Sequence, residues 1–177
     1  MELNEVLNTR KSIRKYQDRP VEEEKIKEML EAAILAPSWK NYQTSRYYVA
    51  QSKDARNQVA AALPEFNQNN VKNAPVLIVT TVVLNRVGFN RDGSTVNELG
   101  NGWGYYDCGL HNANLLLKAA ELGLGTLVMG IRDADALKGV LSIPENEAVV
   151  SVISVGYPDI DPVRPKRKEI DDIAKFY

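Results

Sequence analysis

An α+β fold is predicted by the order of elements along the chain: two helices, a strand, then helix and strand in turn, and a tail. Three observations carry this reading. Residues 76–83 (Val-Leu-Ile-Val-Thr-Thr-Val-Val) form a β-branched, nearly continuous apolar run, as expected of a central strand buried on both faces. Residues 22–35 place Ile26, Met29, Leu30, Ala33 and Ile34 at helical spacing. The remaining helices and strands do not repeat as regular βαβ units, which argues against a doubly wound sheet.

Taken in order, residues 2–9 read as a short helix with Leu3, Val6 and Leu7 on one side. Pro37 stops the helix of 22–35, and a strand begins at Tyr47 and runs to Ala50. Ser52 caps a helix that reaches about Leu63, which Pro64 ends, and the polar stretch 67–73 reads as a loop. Residues 84–104 are rich in Gly and Asn and long for a loop in a compact domain, a pattern usual in functional or mobile segments. Residues 105–122 form the most apolar helix, with Leu110, Ala113, Leu117 and Ala120 on one side and Leu115, Leu116 and Ala119 extending it. Such breadth needs cover on more than one side, from a subunit interface or from a deep core. A strand over 126–130, a helix over 133–141 and a strand over 148–155 complete the core. Beyond Gly156 the chain carries Pro158, Pro162, Pro165 and many charges, and reads as an extended tail.

Length and composition narrow the function. A chain of 177 residues fits a single domain, here 1–177, with a real core. Charge is nearly balanced, 22 basic against 23 acidic residues, so no global field calls for nucleic acid or a membrane surface. One cysteine and one histidine argue against a disulfide or a dedicated zinc site. There is no signal-peptide pattern and no apolar run of membrane-spanning length, so a cytoplasmic protein is expected. No Ser/His/Asp set, acidic metal cluster or phosphate-binding glycine loop supports a hydrolase or a phosphoryl transferase.

The basic residues are clustered: Arg10, Lys11, Arg14 and Lys15 near the start, and Arg164, Lys166, Arg167 and Lys168 near the end. In an extended segment Arg10, Ser12 and Arg14 share a face, and two guanidiniums about a hydroxyl suit a phosphate. Ala36-Pro37-Ser38-Trp39-Lys40-Asn41-Tyr42-Gln43 follows a helix and offers polar groups to a flat heterocycle. Together they suggest a phosphorylated heterocyclic cofactor.

The R-x-S-x-R start, the A-P-S-x-x-N-x-Q loop and the late G-Y-P followed by basic residues resemble the FMN-dependent nitroreductase family, over nearly the whole chain. The resemblance implies a central, mainly antiparallel sheet flanked by helices and an intertwined homodimer. Residues 157–177 would be an extended arm packing on the partner subunit, with FMN at the subunit interface. It implies that Arg10, Lys11, Ser12, Arg14 and Arg167 hold the FMN phosphate and ribityl chain, with Arg164 and Lys166 as neighbouring substitutes for Arg167. Pro37, Ser38, Trp39 and Asn41 would approach a flavin held mainly by the other chain. Asn67 and Asn70 would lie near the flavin pyrimidine, and Met129, Gly130 and Ile131 would present their backbone to the ring. Gly130, lacking a Cβ, would permit close approach.

Trp39 could narrow a substrate pocket, and Trp103, Tyr105 and Tyr106 are candidates for its aromatic wall, with core or interface packing the plainer role. His111 reads as structural. By the same resemblance, NAD(P)H would reduce the flavin, which would then reduce flat acceptors such as nitroaromatics, quinones or flavins in a ping-pong cycle. No side-chain acid or base is assigned, because the chemistry belongs to the flavin N5. Reductive dehalogenation, another specialised branch of the superfamily, and a non-catalytic flavin-binding or redox-sensing module are the competing readings.

Overall fold

The computed structural model describes residues 2–177. The chain forms α1 (Leu3–Thr9), α2 (Glu23–Ile34), β1 (Ser45–Ala50), α3 (Lys53–Ala61), α4 (Glu65–Val71), β2 (Val76–Val83), α5 (Gly102–Glu121), β3 (Gly125–Met129), α6 (Ala134–Leu141) and β4 (Glu147–Gly156). The four strands make one sheet in the order β1-β2-β4-β3, antiparallel at every pairing. The expected α+β class and antiparallel sheet are observed.

β2 is buried along most of its length because helices cover both faces of the sheet. On one face Val76, Ile78, Ile153 and Val155 pack with Met29 and Ala33 of α2 and Leu115 and Ala119 of α5. On the other, Leu77, Val79, Val152 and Leu127 pack with Val59 of α3, Val71 of α4 and Leu137 of α6. This alternation is the period of two that a strand requires. Gly104 brings α5 onto the sheet, since a Cβ there would lie 2.9 Å from Val82 Cγ2.

Two local readings are revised. The polar stretch after Pro64 is helical: Pro64 precedes α4 with an extended backbone instead of closing a loop. Proline lacks the N–H that a helix start leaves unpaired, so it opens α4 as readily as it closes α3. Helix α5 begins at Gly102, and its core face is polar in the N-terminal half, where Asp107, His111 and Asn112 are buried. The stripe of Leu110, Leu117 and Ala120 is only half-buried and looks outward, away from that core face.

The N-terminal arm runs extended beside β3. Ser12 pairs in parallel with Thr126, the Ile13 amide donates to the Thr126 carbonyl at 2.9 Å, and the Gln17 amide donates to the Tyr157 carbonyl at 2.9 Å. The Tyr16 hydroxyl, deep in the core, donates to the Ile13 carbonyl at 2.8 Å and lies 2.7 Å from Ser154 Oγ. From Tyr157 onward the chain has no further helix or strand, apart from a bridge at Pro158 and one 3₁₀ turn, Ile170–Asp172.

Candidate functional site

Arg10, Lys11, Ser12 and Arg14 line one cavity of about 310 Å³ with Pro162, Val163, Arg164, Pro165 and Arg167. Two basic clusters some 150 residues apart in sequence thus become one. Lys11 is ion-paired with Asp161, so its charge is partly satisfied from the tail. Among the described residues, Arg10, Arg14, Arg164 and Arg167 make no ion pair; Arg164 donates to the Asn8 carbonyl and Arg167 to the Pro165 carbonyl. Burial first, and then the charges of Arg164 and Arg167, push the Arg10 guanidinium down from its ordinary value. Cations held together without acidic partners, around a serine hydroxyl, are a donor set suited to a phosphate dianion.

β3 leads from this cavity to the second group. At its start Gly125 and Thr126 adjoin Arg10 and Lys11. At its exit Met129 is buried, while Gly130 and Ile131 are exposed. A Cβ on Gly130 would meet nothing within 4 Å, so packing inside the chain does not demand a glycine there. Asn67, buried on α4, donates through Nδ2 to the Ile131 carbonyl at 3.4 Å, and Asn70 Nδ2 lies 3.4 Å from Asn67 Oδ1. The helical conformation of α4 puts Asn67 and Asn70 on one face, one turn apart. At about 3.3 Å per residue, the strand separates the basic cavity from these amides by roughly 15 Å. That is a cationic end and an amide end along one strand.

The Pro37–Asn41 loop lies elsewhere. It turns through a 3₁₀ segment, Trp39–Asn41, with left-handed backbone at Lys40 (φ 47°), Asn41 (φ 56°) and Gln43 (φ 49°). Each such non-glycine residue costs on the order of 1 kcal/mol, less for asparagine. Ser38 Oγ accepts from the Gln43 amide at 3.1 Å, and Arg46 donates to the Gln43 carbonyl at 2.8 Å. Gln43 therefore buttresses the loop. The Trp39 ring lies 4.9 Å from Trp103, and its amide donates to Asp107. The loop is thus docked on the N-terminal end of α5, whereas Ala120, near the other end, and Gly123 just beyond it line a second, smaller cavity of about 170 Å³ that shares Arg10 and Lys11 with the basic one. From Asp107 to Ala120 the helix rises roughly 20 Å. Within one chain the loop and the basic cluster do not meet.

Trp39 and Trp103 are neighbours, and Tyr106 packs edge-on against Trp103, at 5.9 Å. Tyr105 is exposed and stands apart from this aromatic row. His111 is buried with neither nitrogen hydrogen-bonded, and burial pushes its imidazole down from the ordinary value, partly opposed by Asp107. Asp107 itself was invisible to motif reading; its only signal is an acidic residue in the first turns of the most apolar helix.

An antiparallel sheet flanked by helices, with an arginine-lined cavity on the N-terminal arm, is the architecture of this chain, and known proteins share its fold. The chain belongs to the nitroreductase family, whose model matches residues 7–157. It is 32% identical over 166 residues to a Methanothermobacter thermautotrophicus protein whose name proposes an NADH dehydrogenase/NAD(P)H nitroreductase activity, covering 92% of this chain and 80% of that one. It is 27% identical to the Bacillus subtilis FMN reductase [NAD(P)H], over 88% of this chain and 67% of that one. The crystal structure of a nitroreductase family protein from Clostridium difficile 630 superposes with a TM-score of 0.82 at 27% identity, covering 99% of this chain and 98% of that one. Among the described residues no helix is long and apolar enough to cross a membrane.

Proposed function

We propose that this protein is an FMN-dependent oxidoreductase that takes electrons from NAD(P)H and passes them to flat acceptors such as nitroaromatics, quinones or free flavins. The observation that carries the reading is the basic cavity, with Arg10, Arg14, Arg164 and Arg167 unpaired around Ser12 at one end of β3, and Asn67 at the other. FMN, when bound, would supply hydride acceptance from the nicotinamide and electron delivery to a second occupant of the same face, in a ping-pong cycle.

The chain's own residues bind, orient and leave a face open. The guanidiniums neutralise the phosphate, with Ser12 as a further donor, while Lys11 contributes less because Asp161 already partly satisfies its charge. Asn67 steadies the Ile131 carbonyl and so sets the backbone at the β3 exit, with Met129, Gly130 and Ile131 as the ring-facing segment. Asn70 presents a neutral amide to Asn67. Trp39 and Trp103 form an aromatic wall matched to a flat acceptor, with Tyr105 an exposed residue at its margin.

In this reading the protein is a homodimer, in which Pro37, Ser38, Trp39 and Asn41 of one chain reach a cofactor whose phosphate is held by the basic cluster of the other; the placement of loop and cluster toward opposite ends of α5 is compatible with that sharing. Two further features support this. A groove of about 560 Å³ is lined by Leu3, Val6, Ala32, Leu35 and Leu117 on an apolar side and by Glu28, Glu31, Asn114, Lys118 and Glu121 on a polar one. The arm 157–177 carries exposed apolar residues, among them Val163, Ile173 and Phe176, which is 85% exposed. The arm of one chain would cover apolar surface of the other. The single, buried, unpaired Cys108 suits a reducing, cytoplasmic setting.

The test is spectroscopic. Purified protein should show flavin absorption that bleaches anaerobically on adding NADH or NADPH and returns on adding a nitroaromatic. A colourless protein that takes up no FMN would overturn the assignment. Bound FMN that no nicotinamide reduces would leave a binding module instead.

A further inference from the structure

We propose that Asp107 and Trp103, one turn apart on α5, are positioning residues that grip Trp39 and hold the 38–43 loop in its strained shape. The inference rests on the reading that this loop meets the flavin ring.

Trp39 is held at two points. Its amide donates to Asp107 Oδ2 at 2.9 Å, and its indole lies 4.9 Å from that of Trp103, tilted by 50°. Asp107 is 3% exposed, so the bond is made away from water, where a carboxylate acceptor is strong. Trp103 is itself held, because its Nε1 donates to Asn97 Oδ1 at 2.9 Å. The spacing of Trp103 and Asp107 is the i, i+4 spacing of one helix face, so a rigid helix presents both grips together.

Immediately after the gripped residue the chain enters the left-handed region at Lys40 and Asn41 and again at Gln43. Two of these three are residue types that rarely adopt it, so contacts must hold the conformation. Ser38 and Arg46 hold it at Gln43, and Asp107 and Trp103 anchor its start at Trp39. The loop would then reach a ring already formed, and binding would not have to order it. Asp107 touches no ligand in this scheme; it acts through the Trp39 backbone.

The chain has only two tryptophans, Trp39 and Trp103, so near-ultraviolet circular dichroism reads this pair directly, with or without flavin. Asp107→Ala should change the tryptophan bands while leaving the far-ultraviolet spectrum intact. It should also weaken FMN and riboflavin by the same factor, on the order of 10-fold, since the ring and not the phosphate is affected. Asp107→Asn, which retains a carbonyl acceptor for the Trp39 amide, should restore both the bands and the affinity. An Asp107→Ala protein with wild-type tryptophan bands and wild-type flavin affinity overturns the proposal.

If the unsubstituted protein binds no flavin, the reading of the site fails, while the tryptophan bands still decide whether Asp107 holds the loop. Should Asp107→Ala not fold, hydrogen exchange on the unsubstituted protein decides. The Trp39 amide must exchange much more slowly than that of Lys40, and equal rates overturn the grip.

Discussion

Ile13 lies against Gly125 so closely that a Cβ on the glycine would stand 2.6 Å from Ile13 Cγ1, while the Ile13 amide bonds to the carbonyl of the next residue, Thr126. The arm that carries Arg10, Ser12 and Arg14 is therefore seated on the start of β3 by one absent side chain and one hydrogen bond. Gly125→Ala should lift the arm, costing about 1–3 kcal/mol by overpacking. It should weaken FMN binding as well, because the basic residues move with the arm. Urea denaturation and an FMN titration on the same variant check both effects, and an unchanged affinity would separate the arm from the site.

Arg167 and Arg10 should trade stability against binding. The mutual repulsion that helps to depress the Arg10 guanidinium is relieved when Arg167 is removed. Arg167→Ala should therefore stabilise the flavin-free protein by a few tenths of a kcal/mol, the scale left by solvent screening. The same variant should lose on the order of 10-fold in FMN affinity while riboflavin binding is unchanged. Melting curves of the flavin-free protein and parallel titrations with the two flavins test the opposite signs.

His111 offers a pH dependence. Its imidazole is buried with both nitrogens unpaired, and its folded value lies below the ordinary 6.5. As pH falls through 6.5 the unfolded chain takes up the proton first, so stability present above 6.5 is lost below it. The slope from this group is at most about 1.4 kcal/mol per pH unit. His111→Leu should remove that contribution and be neutral or stabilising at pH 7, since an apolar group replaces two unsatisfied atoms. Denaturation curves at pH 5.5 and 7.5 for both proteins give the comparison.

Tyr16 and Ser154 share a buried hydrogen bond in which Tyr16 also reaches the Ile13 carbonyl. Tyr16→Phe should cost about 1–3 kcal/mol, because Ser154, with no exposed surface, keeps a hydroxyl that has lost this partner. Ser154→Ala should cost less in the Tyr16→Phe background than alone, and a double-mutant cycle measures the coupling.

Much of the fold was legible because it depends on near neighbours. The spacing of Ile26, Met29 and Ala33 sets a helix with a buried face, and the run from Val76 sets a strand with both faces covered. Ser52 is a recognisable helix cap in the sequence, and its hydroxyl accepts from the Ala55 amide at 3.2 Å. The helix of Asn67 and Asn70 was not legible, because proline punctuates both ends of helices and asparagine favours loops on propensity alone. Tertiary contacts overrode that preference by burying Asn67 and Val71.

The sequence by itself determined the chemical inventory: two basic clusters, a polar loop after Pro37, and a broadly apolar helix. Only the tertiary structure decided how these are grouped. It closed the chain so that Arg164 and Arg167 reach Arg10, and it set the loop and the basic cavity at opposite ends of α5. It also set Asp107 beneath Trp39. The reason is one of range. Helix and strand patterns are written within a few residues, whereas grouping depends on strand register and on which helix face each strand receives.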